Sequence, residues 1–227
     1  MATSGVTTGI MTVRDVLTEA AALSAAKLVN EGQPTLNPFD FQRGMVHLNL
    51  LLKAAQNDGC AAHLLEEITM TWPADQAEQE LDVKYLDIYE MRVRDSSDQD
   101  RQLTRIETDE YREIPNKFQL GEPISFSPGK SVETLIVRLW PVPSADTDLY
   151  ATAKRVVEDI TSLDENLDIP QEWSSAIIHK MAVSYDRLKG FSGTAAALEL
   201  RQEAERLYQL AKCADEPQSL FLSPACR

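Results

Sequence analysis

Neighbouring carboxylates are the first residues in this sequence that could do chemistry: Glu66 beside Glu67, and Asp164 beside Glu165. A glycosidase acid and nucleophile need two carboxyls at a set separation across a cleft, with one kept protonated by burial. Sequence neighbours guarantee neither condition, so both pairs are read as surface charge. Cys60, Cys213 and Cys226 have no metal-ligand or redox spacing, which predicts ordinary thiols in a reducing compartment. His47, His63 and His179 fall in three separate segments without a metal pattern. A glycine-rich phosphate loop, a zinc-protease signature, a nucleophile elbow and a dinucleotide fingerprint are all missing from the sequence. The expectation is a protein that is not an enzyme, with no catalytic, cofactor-binding or metal-ligating residue.

Charge narrows the function further. The 227 residues include 36 Asp and Glu against 22 Lys and Arg, a net charge of −14. Such a surface repels phosphate, so tight or sequence-reading DNA contact would need a concentrated basic patch. Arg92, Arg94, Arg101 and Arg105 come closest, but they alternate with Asp95, Asp98, Asp100 and Glu107 around a predicted turn. They are read as a solvated hairpin of mixed charge. No apolar run approaches the roughly 18 residues that would span a bilayer, and the longest candidate, residues 48–55, contains Asn49 and Lys53. The start, Met1-Ala2-Thr3-Ser4-Gly5, lacks the basic and apolar stretches of a secretory signal. A cytoplasmic chain, or one joining an assembly there, is expected.

The elements that would position any site follow from periodicity. Thr12 and Asp15 resemble a capping box opening a helix that runs to Gly32, with Val13, Val16, Leu17, Ala20, Ser24, Ala25 and Leu28 on one face. Asn37-Pro38 starts a second helix, with Phe41, Met45, Leu48 and Leu52 at helical spacing and Asn57-Asp58-Gly59 as its stop. From Glu67 the period becomes two: Ile68, Met70 and Trp72 face one way, and Pro73 ends the strand. The acidic residues 74–80 read as an exposed loop. Residues 83–94 alternate with Tyr89, Met91 and Val93 on one face, and residues 102–106 form a returning strand. Thr108 caps a short helix closed by Pro115. A β pair follows, with Ser127-Pro128-Gly129-Lys130 as its turn. For residues 149–158 local propensity favours helix.

Two further helices close the pattern. Pro170 occupies the first helical position of one, whose stripe is Trp173, Ile177, Met181 and Ser184 or Tyr185, and Lys189-Gly190 ends it. Ser192 caps the other, which carries Ala196, Leu200, Ala204, Leu207 and Leu210 or Ala211. The last residues place Leu220-Phe221-Leu222 between prolines and serines, as an extended tail with one apolar plug.

Three markers recur in a fixed order: Thr108-Asp109-Glu110-Tyr111-Arg112-Glu113-Ile114-Pro115-Asn116-Lys117 with Gly121-Glu122-Pro123-Ile124-Ser125-Phe126, then Leu139-Trp140-Pro141-Val142-Pro143, then Asp168-Ile169-Pro170-Gln171-Glu172-Trp173. By themselves the second and third are structural. Each proline removes a ladder donor and ends a strand, Trp140 offers area to bury, and Trp173 anchors a helix in the core. Together, over residues 12–213, they resemble the head-to-tail adaptor proteins of short-tailed bacteriophages, also called head-completion or packaged-DNA-stabilisation proteins.

The resemblance marks Tyr111, Pro115, Trp140, Pro141, Pro143, Pro170 and Trp173 as scaffold residues, and it puts a strand, not a helix, over residues 149–158. The fold class expected is α+β, mainly α: a four-helix base from residues 12–65 and 158–213, an inserted β-rich lobe over 66–157, and an extended C-terminal tail at 214–227. The resemblance implies a virion protein, made in the host cytoplasm, at the head–tail interface. It implies a closed ring of about twelve copies beneath the portal protein. That ring would extend the DNA channel, retain the packaged DNA and offer a platform to a tail nozzle, fibre or hub protein. It also implies that the tail grips the portal, which assigns Leu220, Phe221, Leu222 and Arg227 to portal binding. Double-stranded DNA would pass without sequence-specific contact, and no membrane is involved. Two alternatives are a virion-carried peptidoglycan hydrolase using acidic residues and a soluble helical interaction module unrelated to phage.

Overall fold

The computed structural model describes residues 11–26, 36–58, 64–94, 99–131 and 134–215. The chain divides into two compact units, one within residues 1–63 and 157–227 and the other Leu64–Val156.

In the first unit, helices α1 (Val13–Leu23), α2 (Pro38–Asp58), α4 (Gln171–Lys189) and α5 (Ala195–Asp215) pack together. The capping box forms: the Thr12 hydroxyl accepts from the Asp15 amide, and the Asp15 carboxylate accepts from the Thr12 amide. The Thr12 hydroxyl, which also donates to the Asp15 carboxylate at 2.7 Å, and the Thr12 amide hold the Asp15 carboxyl below its ordinary range. Val13, Val16, Leu17, Ala20 and Ala21 are buried, and α1 ends at Leu23, well short of Gly32. On α2, the Asn37 side chain accepts from the Phe39 amide, and Phe41, Leu48 and Leu52 are buried. The α4 stripe of Trp173, Ile177, Met181 and Tyr185 is buried throughout. Pro170 is its N-cap, one position before the first helical turn, and Gly190 closes it in the left-handed conformation at φ 79°.

α5 differs from expectation in its cap and its face. Thr194, not Ser192, accepts from the Ala197 amide. The buried residues are Ala197, Ala204, Tyr208 and Ala211, because the Tyr208 ring stacks edge-on against Trp173 with centroids 5.2 Å apart and sets the rotation of the helix.

The irregular segment before α4 is tied down by polar side chains of α2. Asn49 donates to the Ile160 carbonyl and accepts from the Ile160 amide, Gln56 accepts from the Val157 amide, and Lys53 donates to the Val157 carbonyl. Its far end pairs with the start of α1, where the Val13 and Arg14 amides donate to Glu165 and Leu163.

The second unit corrects the fold class. Among the described residues there are five helices and eight strands in two sheets, 42% helix against 28% strand, so the chain is not mainly α with a small β lobe. One sheet has the order β1-β8-β3-β4, from β1 (Leu65–Trp72), β8 (Thr147–Arg155), β3 (Tyr85–Arg94) and β4 (Asp100–Gln102). The other has the order β2-β7-β6-β5, from β2 (Glu78–Leu81), β7 (Leu135–Trp140), β6 (Ser125–Lys130) and β5 (Thr104–Arg105). Met70, Trp72, Ile88, Met91, Leu149 and Ala151 of the first sheet share one core with Phe126, Leu135, Val137 and Leu139 of the second.

Four local readings differ from the structure, three of them in the second sheet. The acidic loop contains β2, an edge strand that pairs with β7 and keeps Glu78 and Glu80 exposed. The returning strand 102–106 is two strands. At Leu103, which is buried and donates to Met91, the chain leaves the first sheet, and the Thr104 amide then donates to Ile124 in the second. Ser127-Pro128-Gly129-Lys130 is not a turn but part of β6, in register with β7. Phe126 turns its carbonyl toward Ile106, so Pro128, two residues on, faces the same side beyond the end of β5, where a missing donor costs nothing. Tyr89 is exposed while Ile88, Met91 and Val93 are buried, because a register shift between Ile88 and Glu90 moves the alternation by one. β8 is a strand, as the resemblance implied.

Gly44 lies where α2 meets α1 and α4, and a Cβ there would run into the Tyr185 hydroxyl and come within 3.1 Å of Leu17. Gly44→Ala should therefore lose about 1–2 kcal/mol of stability despite alanine's better helix propensity, as read by chemical denaturation. An unchanged midpoint would show that the packing yields. Burial also pushes the Tyr185 phenol up, with the Asp40 carboxylate adding to it. A raised folded value keeps stability intact below the ordinary phenol pKa and loses it as pH rises through the folded one. Phenolate absorbance should show this ring ionising last among the tyrosines, together with unfolding.

Candidate functional site

β7 alternates strictly: Leu135, Val137 and Leu139 point into the core, and Ile136, Arg138 and Trp140 point outward. At its end the chain does not continue as a strand. Pro141, Val142 and Pro143 are buried, and the Trp140-Pro141 peptide is cis. The backbone of residues 140–142 instead bonds with the segment that follows α3 (Thr108–Glu113). The Val142 amide donates to Gln119, the Gly121 amide to Val142 and the Ile124 amide to Trp140, at 2.8, 2.9 and 3.1 Å. The Trp140 carbonyl also accepts from the Ser125 hydroxyl, and the Trp140 indole donates to the Asn116 carbonyl at 3.0 Å. Gly121 lies flat on Pro141, where a Cβ would stand 3.3 Å from the proline ring.

Two of the three sequence markers are thus one structure. Residues 139–143 brace residues 116–125, and α3 carries the other end of that segment. α3 opens at Glu107 rather than Thr108, with the Glu110 carboxylate accepting from the Glu107 amide. Its buried Tyr111 packs under the guanidinium of Arg138, 5.9 Å from the ring centre, and the Lys117 ammonium lies at 6.0 Å. Burial pushes the Tyr111 phenol up, and Arg138 partly offsets this. Lys117 in turn donates to the carbonyls of Arg112 and Ile114, closing the last turn of the helix. Trp140 is half-buried rather than a core residue, Pro115 is exposed, and Trp173 and Pro170 belong to the other unit.

The braced segment shows solvent its largest apolar side chains. Phe118 is 77% exposed, Leu120 55% and Ile124 48%. Beside Phe118 opens a cleft of about 300 Å³ lined by Glu78, Tyr111, Arg112, Lys117 and Arg138. An ordered loop that holds three large apolar groups in water next to an aromatic and three cations has the make-up of a protein-binding hot spot. The sequence reading missed Phe118 and Leu120, which lie between the two halves of the marker it quoted. A signal was available: Phe118 and Leu120 fall in a short span between Pro115 and Gly121-Glu122-Pro123, too short for an element whose own face could cover them.

The other candidates dissolve into ion pairs. Arg92 pairs with Glu67 and Asp100, Arg94 with Asp100, Arg101 with Glu122, and Arg105 with Asp87. Arg94 holds the Asp100 carboxyl below its ordinary range. The two carboxylate pairs are taken up by neighbouring groups. Glu66 lies 4.0 Å from Lys84, Glu67 meets Arg92 and Asp164 meets Arg14. Glu165 accepts from the Thr161 hydroxyl and amide, and these bonds push its carboxyl down, whereas a general acid needs a raised value. Among the described residues no three His, Cys, Asp or Glu side chains converge on a metal position, and no helix is long and apolar enough to cross a membrane. Leu220, Phe221, Leu222 and Arg227 lie outside the described residues, as do Cys60, Cys226 and His63.

A family model described as SU10 adaptor protein matches residues 11–220. No curated protein matches the chain.

Trp140→Phe keeps the ring but removes the indole donor to Asn116. It should cost about 1 kcal/mol and speed hydrogen exchange of the Gly121 and Val142 amides. Exchange unchanged at both would mean that the loop does not depend on the indole.

Proposed function

The chain belongs to the SU10 adaptor protein family, phage structural proteins, and from that premise we propose that it closes as a ring between the portal protein and the tail. Each copy extends the DNA channel, retains the packaged genome and contributes to the platform on which a tail nozzle, fibre or hub protein sits. About twelve copies close the ring, one face of each subunit meeting a different face of the next. Leu220, Phe221, Leu222 and Arg227 grip the portal. The net charge of −14 suits a wall past which DNA slides, because a like-charged surface gives phosphate nothing to hold.

The observation that carries this reading is the braced loop. Phe118, Leu120 and Ile124 are exposed yet held by backbone and indole hydrogen bonds. A surface ordered in advance loses little entropy on docking. We assign it to contact with the tail component. No observation favours the hydrolase or the unrelated interaction module over this assignment.

Native mass, measured for the protein alone and after mixing with the portal of its own phage, is the test. A portal-bound ring is expected, and removal of residues 216–227 should abolish it. Phe118→Asp with Leu120→Asp should still join the portal but hold the tail component at least about tenfold more weakly, roughly 1.4 kcal/mol. No association with the portal at any salt concentration would overturn the proposal.

A further inference from the structure

α2 carries a second apolar stripe, on the face opposite its core contacts. Phe39, Val46 and Leu50 are 59%, 57% and 62% exposed and stand seven and four residues apart, so they line one side of the helix. The Arg43 guanidinium lies 5.7 Å from the centre of the Phe39 ring. A shallow groove of about 440 Å³ runs between Phe39, Gln42, Arg43, Val46 and His47.

The charge of this face is unlike that of the rest of the chain. From Phe39 to Asn57 the exposed residues of α2 include no carboxylate. Asp40 is mostly covered and pairs with Lys189, and Lys53, three residues beyond Leu50 at the edge of the stripe, is taken up by Asp159 and the Val157 carbonyl. Beside that closed Lys53–Asp159 pair, Arg43 brings the remaining formal charge to the stripe. Two copies at −14 each repel wherever carboxylates meet, so a contact between copies needs a face where carboxylates are few and already paired. Once there, a lone cation finds its partner on the excess of acidic residues that the same chain supplies, 36 against 22 basic. An anionic lipid surface would meet the same apolar stripe but repel the remainder of so acidic a protein, and one arginine is too little for a nucleic acid.

We propose that a second copy of this chain covers the α2 stripe. Phe39, Val46 and Leu50 form the apolar centre of the contact, and Arg43 pairs with a carboxylate of the neighbour. This rests on the ring reading above and names one of the two faces that the ring joins.

A benzophenone photocrosslinker in place of the valine at position 46 tests it in the full-length protein, both alone at high concentration and bound to the portal. A product of twice the chain mass is expected, with its yield reduced at least about tenfold by Leu50→Asp or Arg43→Glu, and with circular dichroism of those variants unchanged because both positions are exposed. Cross-linking to the portal alone, or no paired product in either state, overturns the proposal. Paired product without portal association leaves the contact standing and removes the portal from the reading above. Portal association without paired product does the reverse.

Discussion

At the end of β7 the chain turns its backbone away from the sheet and into a loop, and the candidate surface depends on that change of partner. An eleven-residue connection without regular structure, residues 114–124, would ordinarily fray, and its apolar side chains would collapse onto the nearest cover. Here residues 140–142 satisfy the loop's amides and carbonyls, and the Trp140 indole fastens its start. Each such bond contributes only about 1 kcal/mol net, but together they fix one conformation. Leu139 on the core side anchors the brace in the hydrophobic centre of the unit. The loop is therefore as well placed as the sheet behind it, although it belongs to no sheet.

Charge follows the same division between what is settled within the chain and what is left to a partner. The arginines of β3, β4 and β5 meet the carboxylates of Glu67, Asp100, Glu122 and Asp87 within the same unit, so they offer phosphate little. The polar side chains on one side of α2 are taken up by the segment before α4. Each unit also leaves large apolar groups uncovered: Phe118, Leu120 and Ile124 in one, and Phe39, Val46 and Leu50 in the other. A structural adaptor, which works by being held between other proteins, has reason to keep such groups uncovered.

Much of the frame was legible because burial imposes a period. The alternation of Ile68, Met70 and Trp72 and the stripe of Trp173, Ile177, Met181 and Tyr185 hold as read, and the resemblance put the strand at residues 149–158 in place of the helix that local propensity favours. The second sheet was legible only in the β pair that became β6 and β7, and the chain was expected to be mainly α. Its edge strand β2 is acidic and half exposed, so neither propensity nor period marks it, and only pairing with β7 makes it a strand. Leu103 shows nothing in sequence of the passage from one sheet to the other, and an extra residue near Tyr89 reverses an alternation that looked regular. The markers around Tyr111 and Trp140 were expected to be scaffold. That they brace each other, and that Phe118 and Leu120 project between them, depends on contacts some 20 residues apart in the chain.

The central claim is that residues 116–124 form a surface built for contact with another protein. Hydrogen–deuterium exchange over this loop, compared between the free protein and the particle carrying portal and tail, tests it most directly. The account predicts slow exchange at Gly121 and Ile124 in the free protein, set by the brace, and a further marked slowing across the loop once the tail component is in place. Exchange across residues 116–124 that is the same in both states would contradict it.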